Sequence, residues 1–147
     1  MIKFSRINNI TGWFIFVIAS VVYLMTMESS ASWWDCGEFI AATYKLQVVH
    51  PPGAPIFLMM GRIFTLFASS VEQVPVMTNI FSVLSTSFSM LFCFWIITRL
   101  SRKMIAGNNE PDGVQTALIM GSGIVGALAC TFIDSIWFSA VESEVYA

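Results

Sequence analysis

TNIFSVLSTSFSMLFCFWIIT, residues Thr78–Thr98, is a run of 21 residues without a charged side chain. A helix of about 20 apolar residues is long enough to cross the hydrocarbon of a bilayer. Arg99, Arg102 and Lys103 follow at once, and clusters of this kind stay on the cytoplasmic side of a membrane. We therefore predict a membrane-spanning helix whose C-terminal end faces the cytoplasm.

The composition predicts an all-α, polytopic integral membrane protein. Of 147 residues, 56% are hydrophobic and 11% are charged, and the mean hydropathy is +0.76. Soluble domains are about 25% charged. The seven Lys and Arg residues are scattered, so no nucleic-acid partner is predicted. The three cysteines and the single histidine show no metal-ligand spacing, so neither a metal nor another cofactor is predicted.

Two further membrane spans are predicted, over residues 10–27 and 116–138. Lys3 and Arg6 precede the first span and place the N-terminus in the cytoplasm. A cleaved signal peptide is the alternative, but its apolar region is normally about 7–15 residues, and this run is longer. Asp134 lies near the outer end of the last span, where it is either a functional acid or a water-exposed or capping residue.

Residues 55–68 form an apolar segment of 14 residues with Arg62 in its middle. As a helix this segment is only about 21 Å long, which is short for a span, and an Arg at the bilayer centre is costly. We predict a helix that dips into the outer surface within an outer loop, residues 28–77. The basic cluster then falls in a cytoplasmic loop, residues 99–115, as the positive-inside rule requires.

The outer loop carries the candidate catalytic groups. Asp35 and Glu38 are three residues apart, so on a helix they share one face. His50 follows Glu38 by twelve residues, and Trp33 and Trp34 are predicted interfacial anchors. The alternative is purely structural: Asp35 caps the helix and Glu38 completes a capping box.

A dinucleotide-binding fingerprint also occurs, as Gly121-Ser122-Gly123-Ile124-Val125-Gly126. That motif requires a preceding strand and a soluble helix, whereas these glycines lie inside a long apolar run. Small residues in such a run allow membrane helices to approach closely. We therefore interpret the motif as a helix-packing surface.

The polar residues of the outer face suit transfer of a group from a lipid-linked phosphate sugar. A carboxylate there can act as general base on a hydroxyl. Arg62, His50 or Lys45 can balance a phosphate, and the planar fork of Arg suits its oxygens. Glu142 and Glu144 return to the same side, but on a helix they point about 200° apart, so at most one faces a shared site.

Three blocks of sequence resemble a known family: Trp34–Phe39 (WDCGEF), His50–Pro55 (HPPGAP) and Val141–Ala147 (VESEVYA). They resemble a family of large bacterial membrane proteins of formerly unknown function, which is similar to a vertebrate transmembrane protein O-mannosyltransferase. The order of spans and loops also resembles the start of the GT-C membrane glycosyltransferases. Members are several times longer, so the resemblance implies an N-terminal fragment that needs the remaining transmembrane helices.

The resemblance implies inverting transfer of mannose from a polyprenyl-phosphate donor to Ser or Thr of an acceptor polypeptide, at the bacterial cytoplasmic membrane. It maps the catalytic carboxylate onto Asp35 with Glu38 beside it, and a second acidic group onto Glu142 or Glu144. His50 or Arg62 would stabilise the leaving phosphate. Two alternatives stay open: a transporter or channel segment, and a non-catalytic assembly subunit.

Overall fold

The computed structural model describes residues 4–32, 35–51 and 53–143, and within these ranges it contains helices and no β-strand. Trp33 and Trp34, predicted as interfacial anchors, and the candidate Glu144 lie outside the described residues. Six α-helices and a short 3₁₀ helix, Val71–Gln73, are present in the described ranges. The α-helices are α1 (Phe4–Thr26), α2 (Cys36–Lys45), α3 (Pro55–Thr65), α4 (Val74–Ile105), α5 (Gly113–Thr131) and α6 (Asp134–Val141). The prediction of an all-α protein is confirmed.

Three of these helices, α1, α4 and α5, are long and apolar enough to cross a membrane. The predicted number of candidate spans is therefore confirmed. Helix α3 has 11 residues, about 17 Å of helix, which is too short to cross. Whether it dips into the outer surface stays a prediction, as do the exact membrane boundaries.

The third apolar run is not one helix. We predicted a single span over residues 116–138, whereas α5 ends at Thr131 and α6 begins at Asp134. The amide of Ile133 donates to the carbonyl of Cys130, three residues back, at 3.3 Å, which closes the last turn of α5. Asp134 then lies in the first turn of α6, where a carboxylate favours the positive end of the helix dipole. Whether Asp134 is a functional acid or a water-exposed or capping residue stays a prediction.

The described chain forms two compact units. The first contains Met1–Ala19 and Ser87–Ile133, and the second contains Ser20–Thr86 and Asp134–Ala147. Helices α1 and α4 contribute residues to both units.

In the first unit, α1 and α4 run antiparallel and pack closely. The guanidinium of Arg102 lies 5.2 Å from the ring centre of Phe4. Gly12 meets the middle of α4, where a Cβ atom at this glycine would lie 2.5 Å from Nε1 of Trp95.

Helix α5 packs on α4 through the glycine motif. A Cβ atom on Gly123 would lie 2.5 Å from Cγ2 of Thr98 and 2.8 Å from Cε2 of Phe94, and one on Gly126 would lie 2.6 Å from Ile97. These contacts support the interpretation as a helix-packing surface. The start of α5 is fixed by a capping box, in which Asp112 and Gln115 each bond the other's backbone amide.

In the second unit, α2 and α3 pack against each other around buried apolar side chains, namely Phe39, Ala42, Val49, Ala54, Phe57 and Leu58. The rings of Phe39 and Phe57 meet edge to face with centroids 5.6 Å apart. Gly61 of α3 allows the close approach, because a Cβ atom there would lie 2.8 Å from Cγ2 of Thr43. This helix pair is the scaffold of the candidate site.

Candidate active site

The N-terminal end of α2 presents the two predicted carboxylates. Asp35 occupies the N-cap position, and its carbonyl accepts from the amide of Phe39 at 3.0 Å. Its side chain makes no capping hydrogen bond, and the side chain of Glu38 is bonded to His50 instead. The capping box considered as the structural alternative is therefore not formed.

Glu38 holds His50 by two hydrogen bonds. The backbone amide of His50 donates to Oε1 of Glu38 at 2.8 Å. Nδ1 of the His50 ring lies 2.9 Å from Oε2 of the same carboxylate. Because one carboxylate binds both the main chain and the ring, the position and the rotation of the ring are fixed together.

The pair shifts the pKa values of both partners. The side-chain hydrogen bond to His50 lowers the pKa of Glu38 below its ordinary value, and the bond to the backbone amide adds to the effect. The same side-chain bond raises the pKa of His50, while Coulomb attraction to Glu38 and Asp35 adds to the shift. Both pKa shifts favour the charged forms, a carboxylate on Glu38 and an imidazolium on His50.

Asp35 lies on the other side of the His50 ring, with Oδ2 3.8 Å from Nε2. Its side chain is 54% exposed. One ligand atom from each of Asp35, Glu38 and His50 lies within 4.8 Å of the others, a spacing compatible with one divalent cation. The prediction that the site needs no metal stays a prediction.

A turn and an aromatic contact position His50. The amide of Gly53 donates to the carbonyl of His50 at 2.9 Å, which closes a turn after the histidine. Gly53 has φ +75°, a left-handed conformation that glycine adopts at little cost. The His50 ring packs against Phe39, with centroids 6.0 Å apart. The histidine is thereby joined to the buried core of α2 and α3.

Glu142 is also brought to the start of α2. The thiol of Cys36 donates to Oε2 of Glu142 at 3.4 Å and accepts from the hydroxyl of Ser32 at 3.3 Å. Cys36 follows Asp35 in sequence, so a third carboxylate is bonded to the residue next to the cluster. This contact of Cys36 is not predictable from the sequence, because a lone thiol carries no signal of its partner.

A buried amide fixes the segment that carries Glu142. Nδ2 of Asn79 donates to the carbonyl of Glu28 at 2.8 Å, and its Oδ1 accepts from the hydroxyl of Ser143. The amide of Glu28 in turn donates to the carbonyl of Val141. This role of Asn79 was not predicted. An amide in an uncharged apolar run is nevertheless a recognisable signal, since polar residues in such runs often bind neighbouring helices.

Arg62 lies at the opposite end of α2. Its Nη1 donates to the carbonyl of Tyr44 at 2.6 Å and to Oγ1 of Thr65 at 3.2 Å. The guanidinium also lies over the Tyr44 ring, 5.3 Å from its centre. Asp35 and Tyr44 are nine residues apart, which corresponds to about 13 Å along a helix. The structure does not bring Arg62 to the Asp35–Glu38–His50 cluster.

Comparison with known proteins identifies the family. Residues 35–147 match the family model described as "Protein O-mannosyl-transferase TMEM260 N-terminal domain". The chain belongs to the TMEM260 family. The match begins at Asp35 and includes His50 and Glu142.

Two curated relatives of the TMEM260 family cover most of this chain. The protein O-mannosyl-transferase tmem260 of Dictyostelium discoideum is 26% identical over 134 residues, which is 90% of this chain and 14% of the relative. The protein O-mannosyl-transferase TMEM260 of Mus musculus is 30% identical over 136 residues, 90% of this chain and 16% of the relative. The chain therefore spans only a small part of each relative's length. No solved structure matches it.

Proposed function

We propose that this chain is the N-terminal part of a membrane glycosyltransferase that moves mannose from a polyprenyl-phosphate donor to Ser and Thr hydroxyls of proteins. Membership of the TMEM260 family and the printed names of the two relatives support this reaction class. The observation that carries the proposal is the exposed cluster at the start of α2, where Asp35 and Glu38 flank one His50 ring.

Asp35 is the proposed general base. A base must lie within hydrogen-bond reach of the proton that it removes, and the Asp35 carboxylate is open to an incoming hydroxyl because it makes no capping bond. Both oxygens of Glu38 already bind His50. We therefore assign Glu38 to the positioning and charging of His50.

In the proposed step, the acceptor hydroxyl oxygen attacks the anomeric carbon while its proton passes to Asp35. The bond from that carbon to the phosphate oxygen breaks, its electron pair stays on the polyprenyl phosphate, and the configuration inverts. His50 is the proposed partner of the leaving phosphate. Its raised pKa, caused by the bond to Glu38, favours the imidazolium that this role needs.

Arg62 was the second candidate for the phosphate, and its contacts favour a different role. Helix C-termini leave carbonyl groups without helical partners, and Arg62 binds the Tyr44 carbonyl in the last turn of α2. We propose that Arg62 holds α3 against the end of α2.

The isoprenoid tail of the donor has a candidate site beside the cluster. A cavity of about 310 Å³ with almost wholly apolar walls lies along one face of α2, from Gly37 to Lys45. Val71, Val74 and Pro75 form its other wall. The cavity begins two residues after Asp35, so a lipid tail lying in it keeps the phosphate near the catalytic groups.

Glu142 is the proposed second acidic group, which orients the sugar or the acceptor from its position on Cys36. Glu144 is the other candidate for this role. The proposed setting is the bacterial cytoplasmic membrane, with the N-terminus in the cytoplasm and the cluster on the outer face. The further transmembrane helices of a longer protein would complete the site.

The test is transfer by Asp35→Asn, with Glu72→Gln as the matched control. Both changes remove one exposed carboxylate from the second unit, and Glu72 lies outside the cluster. Because general-base catalysis contributes roughly 10²–10⁴-fold, we expect Asp35→Asn to lose at least about 100-fold in rate, while Glu72→Gln retains it. The assay follows radiolabelled mannose from a polyprenyl-phosphate donor into acceptor protein. Wild-type transfer by Asp35→Asn would refute the catalytic role and favour an assembly subunit.

A further inference from the structure

The first unit contains a charged cavity that the proposed reaction does not use. It has a volume of about 460 Å³ and lies between the first turns of α1 and the last turns of α4. Phe4, Ser5 and Asn8 line it from α1, and Thr98, Arg99 and Arg102 line it from α4. We propose that this cavity binds the headgroup phosphate of an anionic phospholipid.

The two arginines are the first argument. Arg99 and Arg102 are three residues apart, so they share one face of α4. Guanidinium groups present paired N–H donors that match phosphate oxygens. Arg102 is already held in place by the Phe4 ring and by Glu110, whose Oε1 lies 3.2 Å from Nη2. A guanidinium has five N–H donors, so Arg102 keeps further donors for a phosphate.

Neutral polar groups complete the wall. The Ser5 hydroxyl and the Asn8 carboxamide line the cavity. The carboxamide oxygen of Asn8 is buried and has no hydrogen-bond partner among the described residues. A carboxamide oxygen accepts hydrogen bonds, so this atom suits a headgroup that carries hydroxyl donors beside its phosphate, as phosphatidylglycerol does.

An exposed row of rings favours a lipid over a free anion. Trp95 lines the cavity and also belongs to a group of aromatic side chains on α1 and α4, here called the aromatic strip (Trp13, Phe88, Phe92 and Trp95). The Trp13 and Trp95 centroids are 6.4 Å apart, and those of Phe92 and Trp95 are 5.9 Å apart. Trp13 is 48% exposed and Phe92 is 53% exposed. An acyl chain attached to a phosphate in the cavity would cover this strip, whereas inorganic phosphate would not.

The charge of the surrounding segments is complementary to the same ligand. Within the described residues, Arg6 and Lys103 lie on the same two helices as the cavity, beside Arg99 and Arg102. The carboxylate of Asp112 is taken up by its capping box. Basic groups near a membrane end attract anionic lipids, and here two of the four lie in a cavity that also holds neutral donors.

The test compares two double variants with the same loss of charge. Arg99→Gln with Arg102→Gln removes both cations of the cavity, and Arg6→Gln with Lys103→Gln removes two cations that do not line it. The purified protein is placed in phosphatidylcholine nanodiscs that contain phosphatidylglycerol, and bound phosphatidylglycerol is measured by native mass spectrometry after release. We expect the amount of phosphatidylglycerol bound to the cavity double variant to fall about tenfold or more below that of the wild type, because charge-assisted bonds to phosphate are lost. The control should retain nearly the wild-type amount.

Three results would overturn the proposal. Wild-type retention by the cavity variant would show that the cavity is not the site. An equal loss in both double variants would show a diffuse charge effect. If millimolar inorganic phosphate displaced the phospholipid, and the cavity bound both with equal affinity, the cavity would be a site for a free anion. Arg99→Lys with Arg102→Lys keeps the charge and guards against misfolding. We expect it to bind phosphatidylglycerol more weakly than the wild type and more tightly than the Gln pair.

Discussion

Replacement of Gly123 by Ala tests the packing of α5 on α4. The added Cβ atom would lie 2.5 Å from Cγ2 of Thr98 and 2.8 Å and 3.0 Å from ring atoms of Phe94. Thr98 is 1% exposed and Phe94 is fully buried, so neither side chain has free space into which it can move. Overpacking of this kind costs about 1–3 kcal/mol, and we expect the midpoint of thermal unfolding to fall.

Gly121→Ala is the matched control on the same helix. Nothing lies within 4 Å of a Cβ atom at Gly121, and replacing a helical glycine by alanine stabilises by about 0.4–1 kcal/mol. The two substitutions therefore have opposite expected signs. The midpoints are measured on protein purified in detergent, with dye labelling of the half-buried Cys93 and Cys130 as the readout.

A rescue variant tests the contact itself. Thr98→Ser removes Cγ2, the atom nearest to the new methyl group, so we expect Gly123→Ala to cost less in that background. The Phe94 contact remains, and the rescue is therefore partial. If Gly123→Ala and Gly121→Ala gave the same midpoint, the close approach of α5 to α4 would be refuted.

The remaining predictions concern the candidate site. The raised pKa of His50 gives a contribution to stability that is full below the ordinary value of 6.5 and is lost as pH rises through the folded-state pKa. The lowered pKa of Glu38 gives a contribution to stability that is full above the ordinary value of 4.5 and is lost as pH falls through the folded-state pKa. The pair therefore stabilises the fold most between pH 4.5 and 6.5. Glu38→Gln should move the alkaline limb of the profile of kcat/KM to lower pH, and an unmoved limb would contradict the assignment of His50. Gly53→Ala should reduce transfer by straining the turn at φ +75°, while Gly121→Ala, where a Cβ atom meets open space on another helix, should keep the wild-type rate. A chelator should leave the rate unchanged, and a loss that Mn²⁺ restores would show that the cluster uses a cation.

The fold was largely predictable because hydropathy records burial in lipid directly. The uncharged run before Arg99 and the length of residues 10–27 led to the correct number of candidate spans. The break between α5 and α6 was missed because neither Gly nor Pro stands at residues 132–133, and an apolar run shows no boundary without such a residue. Hydropathy cannot detect a helix end that is set by local backbone hydrogen bonds.

The candidate site was predictable only in part. The spacing of Asp35 and Glu38 fixes their common face, since helix geometry is local. The approach of His50 depends on the turn at Gly53 and on the packing of Phe39, and the bond between Cys36 and Glu142 joins residues 106 positions apart in the chain. Arg62 was assigned to phosphate because its charge is visible in the sequence, whereas the Tyr44 carbonyl that binds it is a backbone group and leaves no trace there.

The two hydrogen bonds between Glu38 and His50 have different functions: one holds the backbone of the loop, and the other holds the imidazole ring. One carboxylate oxygen accepts from the main-chain amide at position 50, a group that every amino acid except proline possesses. A substitution that removes the imidazole therefore leaves the hydrogen bond from the backbone amide to Glu38 intact. Position 50 can be varied by directed evolution, with new side chains presented to Asp35 from a nearly unchanged backbone.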